Sequence, residues 1–270
     1  MKLVVERILR LAISVVTVVL LVAGTSGCSH EANQDRQAAS ASQPVSPEPW
    51  MSKPPASWPQ IVLTNEATFA GHTPLQGASS FLIRTHNDHV LAATAKHLIG
   101  ANGGVEPEVS LGEFDSVLRT WKMFPRTVPQ AFVDIDGLGL SGLDRRGGDW
   151  LILKLKHPAA ALPAQPLQIR KDPVKIGEKV YLVGCPYSER DCKQNVYSGK
   201  VTARAFGDRF RYDLTPPVEI PGFSGAPIID ETGHLVGVMT VWFDPKMDGD
   251  KFLEAGGEDA ATIYPEMDGQ

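Results

Sequence analysis

The chain has 270 residues, of which 43% are hydrophobic and 21% charged, the composition of an ordinary globular protein. Its formal net charge is −5 and its basic residues form no block, which argues against nucleic acid as a partner. The mild acidity favours solubility and says little about substrate.

The first element in chain order is a targeting segment. Lys2, Arg7 and Arg10 precede an apolar run from Leu11 to Ala23, and Gly24-Thr25-Ser26-Gly27 then leads to Cys28. The run is shorter than the roughly 20 apolar residues that cross a bilayer comfortably. Small residues ending in cysteine resemble a bacterial lipoprotein signal, although Thr25 stands where that pattern more often has leucine. The resemblance implies that residues 1–28 are a signal and that Cys28 is lipidated and becomes the mature N-terminus. A soluble secretory signal and an uncleaved anchor are the alternatives, and all three export the remainder of the chain. The expected location is the bacterial cell envelope, with the lipid as the only membrane attachment.

Residues 29–58 are dominated by Pro, Ser, Ala and Gln without an apolar period, which predicts a disordered tether. Residues 59–258, roughly 200 in number, are expected to form one domain. Residues 259–270 are read as a C-terminal tail.

Within the domain, short apolar runs alternate with turn residues. Phe81 to Arg84 and His89 to Ala95 are joined through His86-Asn87-Asp88, a hairpin signal. Asp149 to Lys156 alternates, with Leu151, Leu153 and Leu155 on one face. Lys179 to Gly184, Lys200 to Arg204 and Arg209 to Leu214 are further strands. Ile228-Ile229 and Leu235 to Phe243 flank the turn Asp230-Glu231-Thr232-Gly233. No segment carries a helical apolar stripe over three turns. The fold class is therefore all-β, a sandwich or a barrel, and pattern alone does not choose. Cys185 and Cys192 have six residues between them. In an oxidising compartment they are expected to pair, stabilising the loop by about 2–3 kcal/mol; two free thiols are the other reading.

Three local motifs carry chemistry. Leu91-Ala92-Ala93-Thr94-Ala95-Lys96-His97 ends an apolar strand in histidine. Gly147-Gly148-Asp149-Trp150-Leu151-Ile152-Leu153 opens an apolar strand with aspartate. Pro221-Gly222-Phe223-Ser224-Gly225-Ala226-Pro227 sets a serine in a glycine-flanked turn. A serine hydroxyl is a weak nucleophile until a neighbouring base takes its proton. An imidazole titrates near neutral pH, so His97 suits that role, and Asp149 would fix its tautomer. Glycines around Ser224 let the N–H groups of Gly222 and Ser224 turn toward a developing oxyanion.

With these motifs in this order, the chain resembles a trypsin-like (chymotrypsin-fold) serine protease, in the style of bacterial HtrA-like protease domains. TAKH, GDWLIL and GFSGAP match the family's histidine, aspartate and serine motifs, and KIGEKVYLVGCP (175–186) matches the opening of its second barrel. The likeness covers roughly residues 75–245. It implies two six-stranded antiparallel barrels with the triad in the cleft between them, and His97, Asp149 and Ser224 as catalytic residues. It implies protein or peptide substrates, and leaves the oligomeric state open. The triad requires no cofactor and no metal.

The sequence departs from the family in informative ways. Phe223 stands where digestive members carry aspartate and HtrA-like members usually asparagine, and no activation site is recognisable near residue 60, so activation by a newly cut N-terminus is not expected. Ala226 replaces the commoner glycine. The 46 residues after Ser224 are too few for the PDZ module of full HtrA proteins. By resemblance, Val218 and the strand Thr240-Val241-Trp242 line the primary pocket. Trp242 replaces a frequent glycine and would narrow it toward small or apolar side chains.

Plainer readings are weaker. Asp134, Asp136 and Asp144 precede no such regular strand and read as loop residues. His86 and His89 flank Asp88 in a hairpin turn rather than a metal site. His72, His157 and His234 have no partner pattern and are expected at the surface. An α/β-hydrolase elbow needs glycine where Ala226 stands, and an acid followed by a histidine downstream. The competing function is a catalytically inactive, protease-like surface lipoprotein that binds peptides; an intact triad argues against it.

Overall fold

Some strands alternate buried with exposed side chains, while others are buried on both faces. The computed structural model describes residues 46–140, 148–157, 161–205, 208–243 and 254–267, with 242, 243 and 266 described by backbone only. All belong to one unit, Pro44–Gln270. Cys28 and Asp144 lie outside the described residues.

The first barrel contains β1 (Leu63–Phe69), β2 (Leu75–Arg84), β3 (Val90–Ala95), β4 (Leu118–Phe124), β5 (Val133–Leu138) and β6 (Trp150–Leu155). Their order is β1-β4-β5-β6-β3-β2, closed by the β1–β2 pairing, and the short β7 (Leu167–Gln168) adds in parallel beside β2. The second barrel contains β8 (Lys179–Gly184), β9 (Asn195–Arg204), β10 (Arg209–Thr215), β11 (Pro227–Asp230), β12 (Leu235–Phe243) and β13 (Glu254–Asp259). It closes in the order β10-β13-β12-β11-β8-β9. The fold is all-β, two closed six-stranded antiparallel barrels. Among the described residues, α-helix is confined to two four-residue segments, Phe114–Val117 and Tyr264–Met267.

A strand's side chains point alternately to its two faces, and here both faces of the central strands are covered. In β6, Leu151 and Leu153 fill the first barrel with Leu82, Trp121 and Met123, while Leu155 packs against them. Trp150 and Ile152 face the other way, into a core shared by both barrels that includes Phe81, Ala93, Val183, Ile229 and Val238. β11 divides likewise: Ile228 lies inside the second barrel and Ile229 in the shared core. Burying both faces fixes register, because a one-residue slip would exchange the two cores.

The turns follow their chemistry. Asp88 adopts φ +61° in the β2–β3 hairpin, a conformation that aspartate tolerates better than most residues. Gly233 adopts φ +87° in the β11–β12 hairpin, where Asp230 Oδ1 accepts from the N–H groups of Thr232 and His234.

Several expectations are corrected. Residues 46–58, assigned to the tether, include Trp50 and Trp58, both buried in the shared core. Their rings meet edge-on at 5.1 Å, and Trp58 meets Tyr181 at 5.6 Å. Two large apolar side chains in a Pro-rich stretch are enough to dock it. The proposed tail boundary at 259 falls on the last residue of β13, and Ile263 and Met267 beyond it are buried. His234 is buried rather than exposed, with Nδ1 2.8 Å from the Thr232 hydroxyl. Asp134 and Asp136 sit in strand β5, not a loop.

Candidate active site

β3 and β6 are antiparallel neighbours, with Ala95 opposite Trp150 and Thr94 opposite Leu151. His97 lies in the 3-10 turn Lys96–Ile99 that continues β3, and Asp149 immediately precedes β6. The register therefore brings together two residues distant in the chain. The N–H of Lys96 donates to the Asp149 carbonyl at 3.1 Å. The N–H of His97 donates to Asp149 Oδ1 at 2.8 Å, and His97 Nδ1 lies 2.7 Å from Asp149 Oδ2. One carboxylate oxygen holds the backbone and the other the ring. With Nδ1–H as donor, the second ring nitrogen is left as an acceptor. Both side chains are 17% exposed, sheltered yet reachable.

Ser224 is half-buried in a turn at the start of β11. The turn is fastened from the first barrel. Ser79 on β2 donates through its N–H to the Ser224 carbonyl and through Oγ to the Gly222 carbonyl, each at 2.8 Å. The Thr94 hydroxyl donates to the Ser79 carbonyl at 2.6 Å. A Cβ on Gly225 would lie 2.2 Å from both Ser79 O and Thr94 Oγ1, and Gly225 has φ +81°. Only glycine allows the turn to lie this close to β2 and β3. Gly222, at φ +109°, is equally constrained by Cys185 O at 2.8 Å and Tyr187 N at 2.9 Å. Among the described residues, the N–H groups of Gly222 and Ser224 have no protein acceptor. Among the described residues no hydrogen bond joins the Ser224 hydroxyl to the His97 ring; contacts of this kind often shorten only when substrate binds.

Phe223 anchors the turn from below. Its ring is fully buried in the second barrel, edge-on to Tyr197 at 5.5 Å, and leaves so little room that a Cβ on Gly184 would fall 2.6 Å from it.

Behind the turn, Cys185 and Cys192 form a disulfide with Cα atoms 5.9 Å apart. The loop they close presents Tyr187, whose hydroxyl accepts the Ala78 N–H at 2.7 Å and whose N–H donates to Pro221 O at 2.9 Å. Arg126 donates to the carbonyls of Pro186 at 2.9 Å and Glu189 at 3.0 Å. Burial lowers the Arg126 pKa, opposed by Tyr187 and Glu189. Ser79, Tyr187 and Arg126 are not marked in the sequence, and Thr94 lies in the histidine motif without its role being legible, because no local motif identifies a residue whose partner is a remote carbonyl.

The expected pocket residues are less closely joined. Val218 packs on the core of the second barrel, Val241 is half-buried, and the Thr240 hydroxyl is buried without a protein partner. The side chain of Trp242 lies outside the described residues.

A family model for the trypsin-like peptidase domain matches residues 78–238, a span that contains His97, Asp149 and Ser224. Among solved structures, the chain is similar to the Rv3671c protease from M. tuberculosis in its active form. That likeness has a TM-score of 0.52 and 18% identity, covering 83% of this chain and 87% of that one, and it bears on fold alone. No curated protein matches.

Proposed function

Because this chain belongs to the trypsin-like peptidase domain family, we propose that it is a serine endopeptidase working through an acyl-enzyme, with His97, Asp149 and Ser224 as its triad. The observation that carries this reading is the 2.7 Å contact between His97 Nδ1 and Asp149 Oδ2, with the Ser224 turn fastened to β2, the neighbour of the strand that leads to His97.

Ser224 Oγ attacks the scissile carbonyl carbon as the second nitrogen of His97 takes its proton. Asp149 accepts from Nδ1–H and stabilises the imidazolium that results. The N–H groups of Gly222 and Ser224 receive the oxyanion. When the tetrahedral adduct collapses, the C–N bond breaks and His97 returns the proton to the leaving amine. Water, deprotonated by His97, then cleaves the ester and restores the serine. Val218, Thr240, Val241 and Trp242 are proposed to select small or apolar side chains. The substrates are proteins or peptides reaching the cell envelope, where lipid on Cys28 would hold the enzyme.

A fluorophosphonate probe tests the chemistry. Labelling of the wild type but not of Ser224→Ala is expected. A folded wild type that resists labelling would replace the enzyme with a peptide-binding module. A peptide-library profile dominated by Arg or Lys would overturn the pocket assignment.

A further inference from the structure

Strand β13 reads Glu254-Ala255-Gly256-Gly257-Glu258-Asp259, a sequence with little intrinsic preference for a strand. Its backbone closes the second barrel whatever the side chain at 258 is, since the pairing with β10 and β12 is made by main-chain groups. Yet a carboxylate stands there with its side chain only 4% exposed. A buried carboxylate is costly unless paired, so its partners indicate what it serves.

One partner is Arg209, directly opposite on β10, whose Nε donates to Glu258 Oε1 at 2.5 Å. The other lies in the first barrel. A Cβ placed on Gly148 would be 4.0 Å from Oε2, which sets the carboxylate beside the Gly148–Asp149 backbone, and the Asp149 N–H acts to lower the Glu258 pKa. Beside this contact opens a cavity of about 370 Å³, lined by Lys96, His97, Glu108, Asp149 and Arg209 among others. Burial is the main force raising the Glu258 pKa; the Arg209 ion pair opposes it, the Asp149 charge adds to it, and the Asp149 N–H opposes it.

We propose that Glu258, held by Arg209, is a positioning residue that reaches from the second barrel to fix the Asp149 backbone and adds negative charge behind the Asp149–His97 pair. This deepens the serine-peptidase reading and rests on it. Glu258 touches no reacting atom. It restrains the residue that orients His97, and its charge favours the imidazolium formed during turnover, balanced by the cations Lys96 and Arg209 and added to by Asp149 and Glu108.

The test uses the full chain with Glu258→Ala, Glu258→Gln and Arg209→Gln. In Glu258→Ala, exchange of the Asp149 amide hydrogen should quicken at least about tenfold, and kcat for a small ester should fall about tenfold with KM unchanged. Glu258→Gln retains an oxygen acceptor and should recover most of both. It lacks the charge, so its imidazolium is less favoured, and the acid limb of its pH–rate profile should move about half a unit lower. Arg209→Gln should move that limb higher. A merely structural residue would leave the limb in place. Normal kcat and normal Asp149 exchange in Glu258→Ala would overturn the proposal, as would Gln performing no better than Ala. If Glu258→Ala does not fold, the opposite shifts in the two Gln variants decide. Should wild type resist the fluorophosphonate, the peptidase reading fails, while amide exchange still judges the hold on Asp149.

Discussion

In the first barrel, His97 and Asp149 stand 52 residues apart in the chain but at adjoining ends of paired strands, and three hydrogen bonds between residues 96–97 and 149 follow from that register. In the second barrel, Ser224 sits on a turn whose fastenings come from elsewhere: Ser79 and Thr94 of the first barrel, Phe223 in the core beneath, and the Cys185–Cys192 loop behind. The histidine–aspartate pair is thus set by sheet pairing within one barrel, and the serine turn by docking between two. Damage to the first arrangement should affect chemistry with little change in stability. Damage to the second should affect both.

Asp149→Asn gives the sharpest separation and the largest effect. Its Oδ1 still accepts the His97 backbone N–H, so the melting temperature should hold, but an amide NH2 now faces Nδ1 and favours the wrong tautomer. Turnover should fall by about 10⁴-fold, measured on a peptide or ester substrate. A comparable loss of stability would mean that the pair also holds the barrel. Phe223→Ala should lower stability as well as turnover, costing about 3–5 kcal/mol in denaturant unfolding because it empties a fully buried site under the serine turn. Unaltered stability would break the docking half of the comparison.

Replacing both Cys185 and Cys192 with serine should cost about 2–3 kcal/mol by releasing a loop with seven-residue separation. Reduced labelling of Ser224 in that variant would tie the loop to the turn. Ser79→Ala leaves the buried Gly222 carbonyl without its hydroxyl donor, a loss of about 1–2 kcal/mol, and should lower kcat about tenfold.

The smallest effect concerns pH. Burial holds the Glu258 carboxyl above its ordinary value of 4.5, so the unfolded chain gives up that proton at lower pH than the folded one. The group's contribution to stability is therefore greatest below pH 4.5, falls as pH rises through the folded value and is flat above it. Glu258→Gln removes this decline. Its melting temperature relative to wild type should rise from pH 4.5 upward, followed in thermal melts at stepped pH. A fall instead would show that pairing with Arg209 outweighs burial.

The strands legible in the sequence are those with a clear apolar signal: Lys179–Gly184 and Leu235–Phe243 coincide with β8 and β12, and β6 differs by one residue at each end. Strands β1, β4 and β13 carry no such signal, and the alternation of Val133 and Ile135 in β5 is too short to stand out. β13 has Gly256-Gly257 and three acidic residues, and it forms a strand only because β10 and β12 leave a place for it. The described part of the supposed tether is not legible because composition averages over Trp50 and Trp58, whereas docking depends on those two rings.

By itself the sequence determined the pieces with a local physical cause: alternating apolar runs that must be strands, turns at Asp88 and Gly233, and the histidine, aspartate and serine in their glycine and strand settings. Only the tertiary structure decided what depends on approach between distant segments. Closure into barrels rather than a sandwich is one such outcome. The Phe223 anchor, the grip of Ser79 and Tyr187 on the serine turn, and the carboxylate of Glu258 behind Asp149 are others. A hydrogen bond to a remote backbone carbonyl or N–H leaves no pattern at either end, because every residue but proline offers both groups.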